Sequence, residues 1–231
     1  MLVLRGLAGA LFQLVVIGTM LIVPAGIFAG EWGWVRGWQY VAVYGVMLFP
    51  ATVALALFAP ASLEARMRAP ASAEQPRDDK IASAILFTAL PLYMIFLPLD
   101  ALIWQLLGTP SELVSIAGLA VSIVGYLFVA WTVFKNSFAI PIVEDQSEAG
   151  QVLIDNGPYA VVRHPMYLGM LVLFAGMGLW LGSLASLPLA LVLILAFAIR
   201  IRAEEKTLVA TLPGYRDFQS RRRYRLIPLI W

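Results

Sequence analysis

An all-α integral membrane fold of about six transmembrane helices is what this sequence predicts, and three observations predict it. Of 231 residues, 61% are hydrophobic and only 13% charged, against roughly a quarter charged in a soluble domain. Uncharged runs cover residues 6–30, 37–63, 81–99, 113–134 and 164–199, and about 20 apolar residues suffice to cross a bilayer core of about 30 Å. The Lys and Arg residues, finally, fall almost wholly on one side of those runs, as short cytoplasmic loops require.

The first run follows Arg5 and is longer than the roughly 7–15 apolar residues of a signal peptide, so it reads as an anchor. Between the second and third runs, "ASLEARMRAPASAEQPRDDK" (61–80) mixes four basic and four acidic residues and reads as a solvated loop without functional weight. Asp100 is the one carboxylate set well inside a candidate span. Desolvation makes such a group a functional candidate, while a place at the outer end of the third span, close to water, is the plainer expectation. After the fourth run come about thirty residues, 135–165, too polar for lipid and too long for a simple connector.

The last run is 36 residues long, from 164 to 199, and as one helix would reach about 54 Å at about 1.5 Å per residue. Gly182-Ser183 near its middle, with Pro188 beyond, predicts a helical hairpin of two short spans, 166–181 and 186–200. Beyond it, Ile201, Leu208 and Leu212 share one helical face until Pro213-Gly214 breaks the helix. Six spans put both termini on one side. That side then holds Arg5, Arg66, Arg68, Arg77, Lys80, Lys135, Arg163, Arg200, Arg202, Lys206, Arg216, Arg221, Arg222, Arg223 and Arg225, leaving only Arg36 opposite. Both ends are therefore expected in the cytoplasm. The absence of cysteine excludes disulfides, thiolate nucleophiles and cysteine-ligated metals, and a single histidine speaks against a protein zinc site. Nothing in the chain points to nucleic acid.

Two clusters carry the chemistry. In "NGPYAVVRHPMYLGM" (156–170) the only histidine precedes Pro165, which suits the first turn of a helix and makes His164 its cap. The free N–H groups and dipole of that helix start, with Arg163 beside them, form a site for a carboxylate or phosphate. Gly157-Pro158 turns the chain just before and aims Tyr159 at the same place. The second cluster is Arg200, Glu204 and Glu205. Arg200 and Glu204 are spaced as a helix-surface ion pair, whereas Glu205 falls beside Ile201 and Leu208, where a carboxylate needs a cation to meet it. An anion-binding helix start facing two carboxylates suits a zwitterionic ligand.

The two stretches "GQVLIDNGPYAVVRHPMYLG" and "RIRAEEKTLVATLPGYRDFQSRRRYRLIP" together resemble the isoprenylcysteine carboxyl methyltransferase family and, more broadly, the integral-membrane methyltransferases that include phospholipid N-methyltransferases. The likeness covers roughly residues 135–228. The chain reads as a single membrane domain, with a four-span scaffold at 1–134, one leading span more than a minimal member of the family, and a methyltransferase core at 135–231. The likeness implies a cytoplasm-facing pocket for S-adenosyl-L-methionine, leaving S-adenosyl-L-homocysteine as product, with no metal. Carried over by position, Gln151, Leu153, Gly157, Pro158, Tyr159, Arg163, His164, Pro165, Tyr167, Gly169, Glu205 and Tyr215 would bind this cofactor, and Arg200, Glu204 and Glu205 would act in catalysis. The family tail commonly reads Tyr-x-x-Tyr, whereas Phe218 stands at the second place here.

The acceptor expected from the resemblance is a lipophilic or prenylated substrate in the membrane, first an isoprenylcysteine-type carboxylate oriented by Arg200. The alternatives are a phospholipid amine or a small thiol, for which Glu204 or Glu205 would be the base. An NADPH-dependent membrane sterol or enone reductase and a non-catalytic membrane protein are the readings from other classes.

Overall fold

The computed structural model describes residues 1–67, 77–138 and 150–231. Arg68 and the central parts of the two long connections lie outside the described residues. Among the described residues all regular structure is helical. The helices are α1 (Leu2–Ala29), α2 (Val35–Phe58), α3 (Pro60–Arg66), α4 (Arg77–Leu99), α5 (Glu112–Lys135), α6 (Pro165–Leu181), α7 (Ser186–Thr211) and α8 (Tyr215–Arg221). Helix α4 runs on into a π-helical turn, Asp100–Trp104. Five helices, α1, α2, α4 with its π turn, α5 and α7, are long and apolar enough to cross a membrane, and α6 is a shorter apolar helix of 17 residues. Their outer faces carry exposed Phe12, Phe28, Trp38, Phe58, Leu92 and Leu195, which in a multi-pass protein face lipid.

Helix α5 packs against α6 more closely than any other pair, and glycine is the reason. A Cβ on Gly125 would lie 2.4 Å from the backbone nitrogen of Leu173, and one on Gly176 would lie 2.4 Å from that of Ser122. Small residues let two membrane helices bring their backbones together where van der Waals packing drives association. Gly169, which the resemblance gave to the cofactor, belongs to this contact: its Cβ would meet Val129 Cγ2 at 2.8 Å. Its smallness is accounted for by packing against α5.

The hairpin forms as expected, with α6 ending at Gly182 in the left-handed conformation (φ 100°). Helix α7 continues unbroken through Arg200 to Thr211 and stops just before Pro213, as the sequence predicts. Gly214 (φ 79°) then turns the chain into α8. Two expectations are corrected. The segment 61–80 is not simply a loop. Pro60–Arg66 is a short helix anchored to the end of α5 by apolar packing of Leu63 near Val133 and by the Ser62 hydroxyl donating to the Val133 carbonyl (3.0 Å). Asp100 is fully buried and does not meet water. Its carboxylate accepts from the Ser183 hydroxyl in the hairpin turn (2.6 Å) and from the Leu106 amide (3.0 Å), so it fastens the end of α4 to that turn.

Since α5 and α6 are antiparallel, the bundle has two unlike ends. One gathers the start of α1, α3, the start of α4, the end of α5, the start of α6, the end of α7 and α8. The other holds the hairpin turn, the π turn and Arg36. Both chain termini lie at the first end: α1 begins with Gly6 close against Leu63 of α3, and Trp231 lies under the Arg225 guanidinium.

Candidate active site

The starting residues of α6 are laced to the tail by main chain. The Arg163 and His164 amides donate to the Tyr224 and Arg225 carbonyls (3.0 and 2.9 Å). Pro165 occupies the first turn with His164 as cap, so the side chains of 163 and 164 project toward α7, and both meet Glu205. Arg163 Nε lies 2.8 Å from Glu205 Oε1 and Arg225 Nε donates to Oε2 at 2.9 Å. His164 Nε2 lies 3.3 Å from Oε1. A carboxylate on the apolar flank of α7 thus finds its cations, as desolvation demands. The anion that fills the expected site at Arg163 is therefore the protein's own Glu205. Arg163 also donates through Nη1 to the carbonyls of Gln219 and Arg222 (3.2 and 3.0 Å), satisfying the end of α8.

Glu204 is placed differently. It accepts one hydrogen bond, from the Tyr167 hydroxyl at 2.9 Å, and its side chain is 26% exposed against 7% for Glu205. The His164 Nδ1 lies 3.9 Å from it, beyond hydrogen-bond reach. Tyr167 stacks between His164 and Phe197, ring centroids 5.9 and 5.0 Å apart, which fixes the direction of its hydroxyl. The doublet is thereby divided: Glu205 is locked into the fold and Glu204 is left open.

Arg200 does not form the helix-surface pair with Glu204. It is almost wholly buried and forms an ion pair with Asp79 of α4, while donating from Nη1 to the Ser83 hydroxyl (2.8 Å) and from Nε to the Tyr167 hydroxyl (3.3 Å). Sequence reasoning missed Asp79 and Ser83. The available signal was an Asp-Asp doublet at the start of an apolar run, where a dipole alone does not require two acids. Arg225, read only as a topological charge, was missed as the partner of Glu205.

The loop before α6 supplies the remaining wall. Gly157 has φ 59°, a left-handed conformation that favours glycine, and the following 3₁₀ turn Gly157–Ala160 buries Pro158 and Tyr159. The Asn136 amide donates to the Tyr159 hydroxyl at 2.8 Å. Burial pushes the Tyr159 phenol up to about 12; the Asn136 bond opposes this, Glu204 adds to it and Arg66 offsets it. Arg66, at the end of α3, is drawn down to about 10 by burial, against the pull of Tyr159. Tyr159 packs with Leu212, Tyr215 and Phe218, and Leu153 joins that cluster. Gln151 is half-buried at the near end of the loop. Phe218 is 1% exposed and lies 5.8 Å from the Tyr215 ring, so the second tail position serves apolar packing here.

Tyr215 is 3% exposed, and its buried hydroxyl has no hydrogen-bond partner. Burial, Glu205 and Glu204 all push its pKa up and so suppress ionisation, outweighing Arg163 and Arg225, and it remains a neutral donor. An orphaned hydroxyl costs about 1–3 kcal/mol, which a ligand acceptor would remove. Such a donor near carboxylates, cations and aromatic rings fits the amino-acid end of S-adenosyl-L-methionine. Below the site, an apolar cavity of about 520 Å³ opens between α1, α2, α4, α5 and α6. Met170, Phe174 and Met177 line it from the face of α6 that carries Tyr167 one turn above. Among the described residues no cluster of His, Asp and Glu could hold a metal.

No curated protein matches this chain. Residues 113–213, from α5 through the hairpin to just past the end of α7, are similar to the phospholipid methyltransferase family.

Proposed function

We propose that the protein is an S-adenosyl-L-methionine-dependent methyltransferase that methylates the amine of a membrane lipid, at an active site on the cytoplasmic side. The observation that carries the choice of acceptor is the division of the carboxylates and cations. Arg200, which would have oriented a carboxylate acceptor, is committed to Asp79, and Arg163 and Arg225 are committed to Glu205. Glu204 is the open charged group of the two clusters, and it is an acid. An isoprenylcysteine carboxylate meets like charge there, whereas an ammonium is attracted. The same commitments take up Arg163 and Arg200, the two basic residues that the sequence clusters offered to a phosphate-rich NADPH. The sequence puts fifteen cations on this side of its spans, against Arg36 alone on the other, which favours the cytoplasm.

When bound, the donor supplies an electrophilic methyl group on a sulfonium. The chain's own residues do the rest. Tyr215, His164 and the turn at Gly157–Tyr159 hold the donor against the start of α6. The apolar cavity takes the hydrocarbon of the acceptor and so fixes the amine at the level of Tyr167, the kind of positioning that governs an in-line displacement. Glu204 takes the proton from the lipid ammonium and exposes the nitrogen lone pair. Tyr167 sets the direction of that carboxylate.

The test is methyl transfer by purified protein to dioleoyl phosphatidylethanolamine and to S-farnesylcysteine. The parent should methylate the first in preference, and Glu204→Gln should lower kcat by about 10²-fold or more with binding of S-adenosyl-L-homocysteine retained. Transfer to S-farnesylcysteine alone, or parental rates from Glu204→Gln, would sink the reading.

A further inference from the structure

Arg66 closes α3, a helix held at the site end by Leu63 and Ser62 against the end of α5. The Nε and Nη2 atoms of its guanidinium are buried and have no hydrogen-bond partner. Among the described residues it forms no ion pair, unlike Arg163, Arg200 and Arg225. A buried charge without a counter-charge is costly, and a cation needed only for topology would extend into water, as Arg202 does. Something else holds Arg66 inward. The group near it is the Tyr159 phenol, on which Arg66 and the open Glu204 act in opposite senses. A cation and an anion therefore both lie within electrostatic reach of one buried phenol, which suits a headgroup with both charges.

We propose that Arg66 is the anion-binding subsite for the acceptor: its guanidinium takes the phosphodiester of the lipid whose amine faces Glu204. This rests on the amine-lipid reading above and adds the residue that recognises the phosphate. A guanidinium suits this role because its fork of N–H donors matches phosphate oxygens. Arg66 lies in the scaffold half, outside the matched segment 113–213, so the subsite is supplied by a part of the chain that this family match does not describe.

The experiment is a set of binding titrations on purified full-length protein with dioctanoyl phosphatidylethanolamine, dioctanoylglycerol, S-farnesylcysteine and S-adenosyl-L-homocysteine. They are run on the parent, Arg66→Gln and Arg66→Lys, with a melting curve for each. The expected result is that Arg66→Gln weakens the phospholipid by about tenfold or more and leaves dioctanoylglycerol and S-adenosyl-L-homocysteine unchanged. Arg66→Lys should fall between, and neither variant should melt lower, since neither breaks an ion pair. Unchanged phospholipid binding in Arg66→Gln overturns the subsite while leaving the acceptor reading intact. Weaker S-adenosyl-L-homocysteine in that variant overturns it by assigning Arg66 to the donor's carboxylate. Preference of the parent for S-farnesylcysteine, lost in Arg66→Gln, overturns the phosphodiester and the amine reading together.

Discussion

The two ends of the bundle both bury charge, but they treat it differently. At the far end every buried polar group is answered within the protein. Asp100 is met by Ser183 and Leu106, Ser186 donates to the Ser183 carbonyl (2.6 Å), and Arg36 pairs with Glu112 while bonding Ser115 and the Trp180 carbonyl. At the site end the pairs are as close, yet orphaned buried atoms remain on Arg66, Tyr215 and Arg222, and Glu204 stays partly open. Among the described residues no such orphan occurs at the far end. A fold selected only for stability would satisfy both ends alike. The difference is what the proposed function expects of one end that fastens the fold and another that takes a ligand.

The comparison can be sharpened by breaking one contact at a time. The largest effect is expected from Asp79→Asn, which leaves Arg200 buried without its carboxylate. Breaking a buried pair costs about 3–5 kcal/mol, and Tyr167 and Glu204 should shift with Arg200, so both the melting temperature and methyl transfer should fall. Ser183→Ala, at the far end, removes a donor from a buried carboxylate at a cost of about 1–3 kcal/mol. Its signature is a lower melting temperature with S-adenosyl-L-homocysteine affinity unchanged; loss of that affinity would erase the distinction between the ends. The smallest effect belongs to Glu112→Gln. With the Glu112 side chain 68% exposed, the pair with Arg36 contributes less than about 1 kcal/mol, and neither stability nor transfer should change measurably.

Much of the far end and the spans could be read from the sequence, because apolar runs and their breakers are local signals. Gly182 announced the hairpin, and the cap at His164-Pro165 followed from the ring of proline. The Glu205 partners were legible in kind, since a carboxylate on an apolar flank requires a cation, but Arg225 could not be told from the other tail arginines by spacing. Asp79 was illegible for a different reason. Its partner is over a hundred positions away on α7, and in a stretch of mixed charges it looked solvated. The packing role of Gly169 was illegible because it depends on a backbone that approaches from α5. In each of these cases the missing quantity is a distance between two helices, which no local pattern carries.

Tyr215 is central to donor binding as proposed, since its hydroxyl is buried, unpartnered and set among the site's charges. Tyr215→Phe deletes that one atom and breaks no hydrogen bond within the protein, so the melting temperature should stay level or rise. Calorimetric titration with S-adenosyl-L-homocysteine should then show an affinity about tenfold weaker than the parent's. Equal affinity in the two proteins, or no binding by the parent, would contradict the claim that this end of the bundle holds the methyl donor.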